Sequence, residues 1–100
     1  MMRGGHHLVI RLRALPGLGD ALGEALLRLQ QSATTTPGCS GFIATQDLAV
    51  EGQFWLIESF DSAAAYDEFV VTPAVQRFLN ETVPELVVDR EIQPVTLAPG

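Results

Sequence analysis

The sequence contains no lysine: all six basic residues are arginines, against twelve acidic residues, for a net charge of −6. Without lysine there is no Schiff-base amine and no phosphate-loop lysine. The acid excess and the lack of a basic run speak against a nucleic-acid partner, which needs a positive footprint. Cysteine occurs once, at Cys39, so neither an internal disulfide nor a cysteine-rich zinc site can form. The two histidines, His6 and His7, are adjacent; on a strand they would point to opposite faces, so no metal site is expected from them. No apolar run approaches the 18 or so residues of a membrane span. Arg11 and Arg13 interrupt the first apolar stretch, which removes a signal-peptide pattern. A cytoplasmic chain with no membrane partner is the expectation.

What is present is core-forming. Apolar residues make up 47% of the 100 positions, too many for a disordered segment. One domain is expected over residues 1–100, with a core over about 8–93 and short flexible ends. A domain of this size buries only about 60–65% of its unfolded surface, so a shared interface would help it. Charge is uneven: residues 1–50 carry +1 (four Arg, three acids) and residues 51–100 carry −7 (two Arg, nine acids). The plain reading of that excess is a solvated surface; a sharper one sets some acids opposite arginines of a second subunit.

Periodicity divides the chain into elements. His7–Ala14 alternates as a strand, with Leu8, Ile10 and Leu12 on one face and Val9, Arg11 and Arg13 on the other. Leu15-Pro16-Gly17 breaks it, and a helix is predicted from Leu18 to Ala33, with Leu18, Leu22, Ala25, Leu29 and Ala33 as its apolar stripe and Glu24–Arg28 as a surface pair. Gly23 weakens that helix by about 1 kcal/mol relative to Ala unless the backbone approaches a neighbour there. Gly41–Leu48 and Gln53–Phe60 read as strands joined by Ala49-Val50-Glu51-Gly52. Asp61-Ser62 can cap a helix from Ala63 to about Val71. Thr72-Pro73 starts another, which Pro84 is expected to stop. Leu86–Gln93 is a last strand, with Pro94 pointing to an edge. The order, strand-helix-strand-strand-helices-strand, is a ferredoxin-like βαββαβ pattern, an α+β fold with a four-stranded antiparallel sheet and helices on one face.

The strand Gln53–Phe60 adds a constraint. Phe54, Leu56, Glu58 and Phe60 share one face; Trp55, Ile57 and Ser59 share the other. Both are largely apolar, whereas a half-exposed strand should alternate with polar residues. Helices on one side leave Trp55 and Ile57 uncovered, an apolar patch that monomers rarely tolerate. A homodimer packed through the open face of the sheet is therefore expected.

Four segments carry a resemblance: Thr36-Pro37-Gly38-Cys39 before the second strand, Leu56-Ile57-Glu58-Ser59-Phe60 ending the third, Asp61-Ser62-Ala63-Ala64-Ala65-Tyr66 opening the next helix, and Thr72-Pro73-Ala74-Val75-Gln76-Arg77-Phe78. In this order the chain resembles the antibiotic biosynthesis monooxygenases, members of the dimeric α/β-barrel superfamily. The resemblance implies a homodimeric barrel. It also implies oxygenation of a small aromatic or quinol-type molecule by O₂ with no flavin, haem or metal cofactor. Members similar to a phenol oxygenase place a Trp two residues after the Glu and a Tyr on the next helix; here those positions hold Phe60 and Tyr66. Many members carry a His late in that helix, where this chain has Phe69, which departs from the haem-degrading branch as well.

Candidate site residues follow. Tyr66 would hydrogen-bond a substrate oxygen; the plainer alternative is a ring packed on the sheet. Glu58, with Phe54, Leu56 and Phe60 on its face, would have a raised pKa if unpaired and serve as a general acid or base. The alternative is an ion pair with Arg11, Arg13 or Arg90. Ile10, Leu12, Phe54, Trp55, Phe60, Phe69 and Phe78 are expected to line the pocket, with Trp55 as wall or interface anchor and His7 at the rim. Cys39 has no base near it in sequence and reads as packing. Rival functions are a non-redox isomerase or cyclase on the same fold, and a ligand-binding dimer without turnover.

Overall fold

A computed structural model describes residues 5–98; of the chain ends expected to be flexible, residues 1–4 and 99–100 lie outside them. Strand β1 (His6–Ala14) leads into helix α1 (Gly19–Thr34), strands β2 (Cys39–Gln46) and β3 (Gln53–Phe60), helices α2 (Ala63–Val70) and α3 (Pro73–Arg77), a π-helical turn over Phe78–Thr82, a last helical turn α4 (Val83–Leu86) and strand β4 (Val87–Val95). The sheet order is β2-β3-β1-β4, antiparallel throughout. This is the ferredoxin-like α+β arrangement, and β4, with Pro94 in it, is an edge strand.

The core lies between the helices and one sheet face. Leu8 and Leu12 of β1, Phe42 of β2, and Phe54, Leu56 and Phe60 of β3 are buried there, against Leu22, Leu26 and Leu29 of α1 and Phe69 of α2. Gly23 has the close approach that its cost in the helix called for: a Cβ there would lie 3.4 Å from the Phe54 ring. Gly38 is constrained twice over. It has φ +85°, and a Cβ on it would come within 2.7 Å of Ala65 Cβ, so the turn before β2 can press against the start of α2 only with glycine.

Local chemistry sets the boundaries. Ser62 Oγ accepts from Ala65 N–H at 3.1 Å and caps α2, while Thr72 turns its hydroxyl back to Phe69 O at 2.7 Å and does not cap α3. The expectation that Pro84 stops the helix needs correction. After α3 the chain widens into the π-helical turn, where Val83 N–H bonds to Phe78 O. Helix α4 then restarts with Pro84 in its first positions, where a missing N–H leaves no bond unmade. The Glu24–Arg28 pair is also absent: among the described residues the ion pair that forms is Arg11–Asp89, at 3.0 Å between β1 and β4.

The β2–β3 connection is organised by Asp47. Its carboxylate accepts from Ala49 N (2.8 Å), Val50 N (3.0 Å), Gln53 Nε2 (2.8 Å) and Trp55 Nε1 (2.9 Å). These bonds, that of Trp55 first, hold the carboxyl well below the usual carboxylate range. A depressed folded-state pKa gives stability that is present above the unfolded value of 3.8 and fades as pH falls toward the folded value. Asp47→Ala should therefore lower the urea midpoint near neutral pH, with the gap to the parent protein narrowing below about pH 4; urea titrations at pH 6 and pH 3 followed by circular dichroism check this.

Candidate functional site

Alternation along the strands decides what reaches the helix side of the sheet. Glu58 lies opposite Leu8 on β1 and Phe42 on β2, in the row that also presents Phe54, Leu56 and Phe60 to the helices. Its side chain is therefore carried into the core, and the residue is only 4% exposed. None of the arginines offered as partners meets it. Arg11 engages Asp89, Arg13 donates to Gln53 Oε1 at 3.2 Å, and Arg90 stays beyond ion-pair distance. Among the described residues no hydrogen bond or ion pair offsets its burial, and desolvation pushes its pKa up to about 7. A carboxyl near neutrality can take or give a proton at working pH.

Glu58 opens onto a cavity of about 200 Å³ between the sheet and helices α2 and α3. An apolar cavity of about 150 Å³ is enough to hold benzene, so this one has room for a single substituted ring. Its walls are mostly apolar, and its ionisable groups are Glu58, Tyr66 and Arg90. Tyr66 sits one turn into α2, held by the Ser62 cap. Its ring packs edge-on to Phe60 at 5.2 Å and lies 4.7 Å from His6. Burial, and after it the nearby Glu58 carboxylate, push the Tyr66 hydroxyl up, which keeps it protonated and able to donate. The cavity mouth lies beside the edge strand β4, where Ile92 is half-exposed.

Of the residues singled out from sequence, Glu58, Tyr66, Ile10, Leu12, Phe69 and Phe78 share this cavity. Three do not. Phe54 packs under Gly23 of α1. Phe60 is fully buried behind the cavity wall, against Tyr66 and Phe69. Trp55 is on the opposite sheet face, bonded to Asp47. His7 also needs correcting as a rim residue: it is on the open face with Nδ1 2.9 Å from Ser59 Oγ, and His6 is the histidine beside Tyr66. Cys39 approaches Gly41 O at 3.6 Å, and burial pushes its thiol up, away from a reactive thiolate. Sequence reasoning missed Arg90 and Ile92 as lining. Alternation along β4 could have placed both on one face, but not over the cavity.

The open face has an apolar centre. Ile43, Ile57 and Val9 form one row across β2, β3 and β1, with Ile43 55% and Ile57 46% exposed. Trp55 lies in the adjacent row between Thr45 and Arg11. None of the helices among the described residues is long and apolar enough to cross a membrane.

The fold recurs in solved structures. PA3566 from Pseudomonas aeruginosa superposes with a TM-score of 0.91 at 23% identity, over 99% of both chains. SO0527 from Shewanella oneidensis gives 0.91 at 22% identity, over 95% of this chain and 92% of that one. Rv0793 from Mycobacterium tuberculosis gives 0.85 at 18%, over 96% and 97%. At these identities the likeness shows the fold alone. None of the curated proteins matches the chain. The family model described as antibiotic biosynthesis monooxygenase matches residues 5–81, more than half of the chain and the whole stretch from β1 through Tyr66 to the π-helical turn, and the chain belongs to that family.

Proposed function

We propose that the protein is a homodimeric, cofactor-independent monooxygenase acting on a small aromatic or quinol-type molecule. The observation that carries this reading is Glu58: a carboxyl 4% exposed, with its pKa raised to about 7, facing an apolar cavity the size of one ring. Family membership supports the reaction class.

In this reading the Glu58 carboxylate accepts the proton of a ring hydroxyl while Tyr66 donates a hydrogen bond to the substrate. The resulting anion passes one electron to O₂, and the two radicals combine as a peroxide on ring carbon. Glu58 returns its proton to that peroxide. Loss of the ring C–H proton then breaks the O–O bond, leaving one oxygen as a carbonyl and releasing the other as water. A phenol-type ring and O₂ thus give a quinone and water, with the substrate supplying all four electrons. The apolar walls contribute by excluding water from the anion and the radical pair.

The dimer completes the architecture. A second copy packed on the row Ile43–Ile57–Val9 and on Trp55 removes the apolar patch from water.

Oxygen consumption with a panel of simple hydroquinones tests the reading. Uptake should exceed autoxidation, and Tyr66→Phe should lower it by roughly tenfold, the scale of one lost hydrogen bond to a charged oxygen. Uptake equal to autoxidation for every quinol would sink the oxygenase reading. Turnover that persists without O₂ would favour the alternative of an isomerase or cyclase, since the same near-neutral carboxyl serves proton transfer alone.

A further inference from the structure

The cavity has two poles that do not touch. Glu58 is its carboxyl group and Arg90 its cation, and no second carboxyl group or cation lines it. Opposite charges facing one apolar space would ordinarily pair, yet the ion pair formed among the described residues is Arg11–Asp89. Strand register gives the reason. Glu58 is level with Leu8, and Arg90 is level with Leu12, on the far side of β1. Four residues along the strand and two strand spacings across put their Cα atoms roughly 16 Å apart. Two side chains standing up from the sheet do not close that distance, but one substituted ring lying between them can bridge it.

Alternation along β4 isolates the guanidinium further. Asp89 and Glu91, its neighbours in sequence, align with Arg13 and Arg11 on the open face, and Asp89 is engaged there with Arg11. Arg90 is thus turned to the helix side with Ile92, at the cavity mouth, with no acid bound to it among the described residues. A guanidinium's planar fork matches a carboxylate in two parallel hydrogen bonds.

We infer that the substrate is a single aromatic ring bearing an acidic group opposite its hydroxyl, a para-hydroxyaryl carboxylate. Its carboxylate pairs with Arg90 at the mouth, and its hydroxyl is delivered to Glu58 at the inner end, with Tyr66 in electrostatic reach of both poles. Arg90 is then the residue that selects an anionic ring and sets its direction of entry. This rests on the proposed function only in using the same cavity.

Binding measured by isothermal titration separates the two. The probes are 4-hydroxybenzoate and its methyl ester, which keeps the ring and the hydroxyl but removes the charge. The acid should bind at least about tenfold more tightly than the ester, the scale of a hydrogen-bonded charge. Arg90→Gln should collapse that ratio to near one, and Arg90→Lys should restore part of it. Equal affinity of acid and ester for the parent protein, a ratio unchanged in Arg90→Gln, or no binding of either up to millimolar concentration would each overturn the inference. Selective binding of the acid without oxygen uptake would count against oxygenation and leave this inference standing. Turnover of neutral quinols with no preference for the acid would do the reverse.

Discussion

Glu58→Gln is expected to abolish turnover and, in the same molecule, to make the fold more stable above neutral pH. The amide keeps the shape but cannot accept a substrate proton, and loss of a positioned general base costs about 10²–10⁴-fold in rate. The stability gain follows from linkage. The unfolded carboxyl titrates near 4.5, the folded one near about 7. Below 4.5 both states hold the proton and burial of Glu58 costs nothing in pH terms. Between these values the unfolded chain gives up its proton first, so stability falls as pH rises, and above about 7 the penalty is complete. The shift corresponds to something on the order of 3 kcal/mol. Urea midpoints of parent and variant should diverge from pH 5 to pH 8, with the variant ahead at pH 8. A variant that is inactive but no more stable at pH 8 would mean that the Glu58 carboxylate is compensated in the folded protein. On the proposed reaction, the same group in the parent protein should make the rate rise with pH through about 7, as the carboxylate forms.

A charge placed at the centre of the open sheet face should split the proposed dimer. In Ile57→Glu the new carboxylate would sit between Ile43 and Val9, and a second copy would bring another against it. Each buried isoleucine is worth about 1.5–3 kcal/mol, and the lost burial is counted twice across a two-fold axis. Desolvating two like charges adds to this. Together these predict an increase of at least about 10³-fold in the dimer dissociation constant, read by sedimentation equilibrium at micromolar concentration. Ile57 faces away from the cavity, so the circular dichroism spectrum should keep its α+β character. A parent protein that sediments as a monomer would remove the interface altogether.

The two substitutions probe opposite faces of one strand, and β3 shows how far the sequence could be read. Its bounds, Gln53 and Phe60, are those that alternation predicts, because a strand's period of two leaves no freedom about which residues share a face. The Ser62 cap, the glycine at the turn before β2 and the order of elements were legible for the same reason: each depends on neighbours within a few residues. The path after α3 was less legible. A proline inside a helical pattern signals a stop, and only the widening of the chain over Phe78–Thr82 converts Pro84 into a starting residue for α4.

By itself, then, the sequence determined the fold class, the two-faced apolar sheet and the presence of one acid, Glu58, on the helix-facing side. Tertiary structure decided which side chains meet. Phe54 and Phe60 share the face of Glu58 yet go to α1 packing and to the back wall, because the helices cover β3 unevenly along its length. Arg90, more than thirty residues from Glu58 in sequence, joins the same cavity because β4 pairs with β1 rather than with β3. That pairing keeps the two charges in one cavity and too far apart to neutralise each other, a long-range distance that no local pattern encodes.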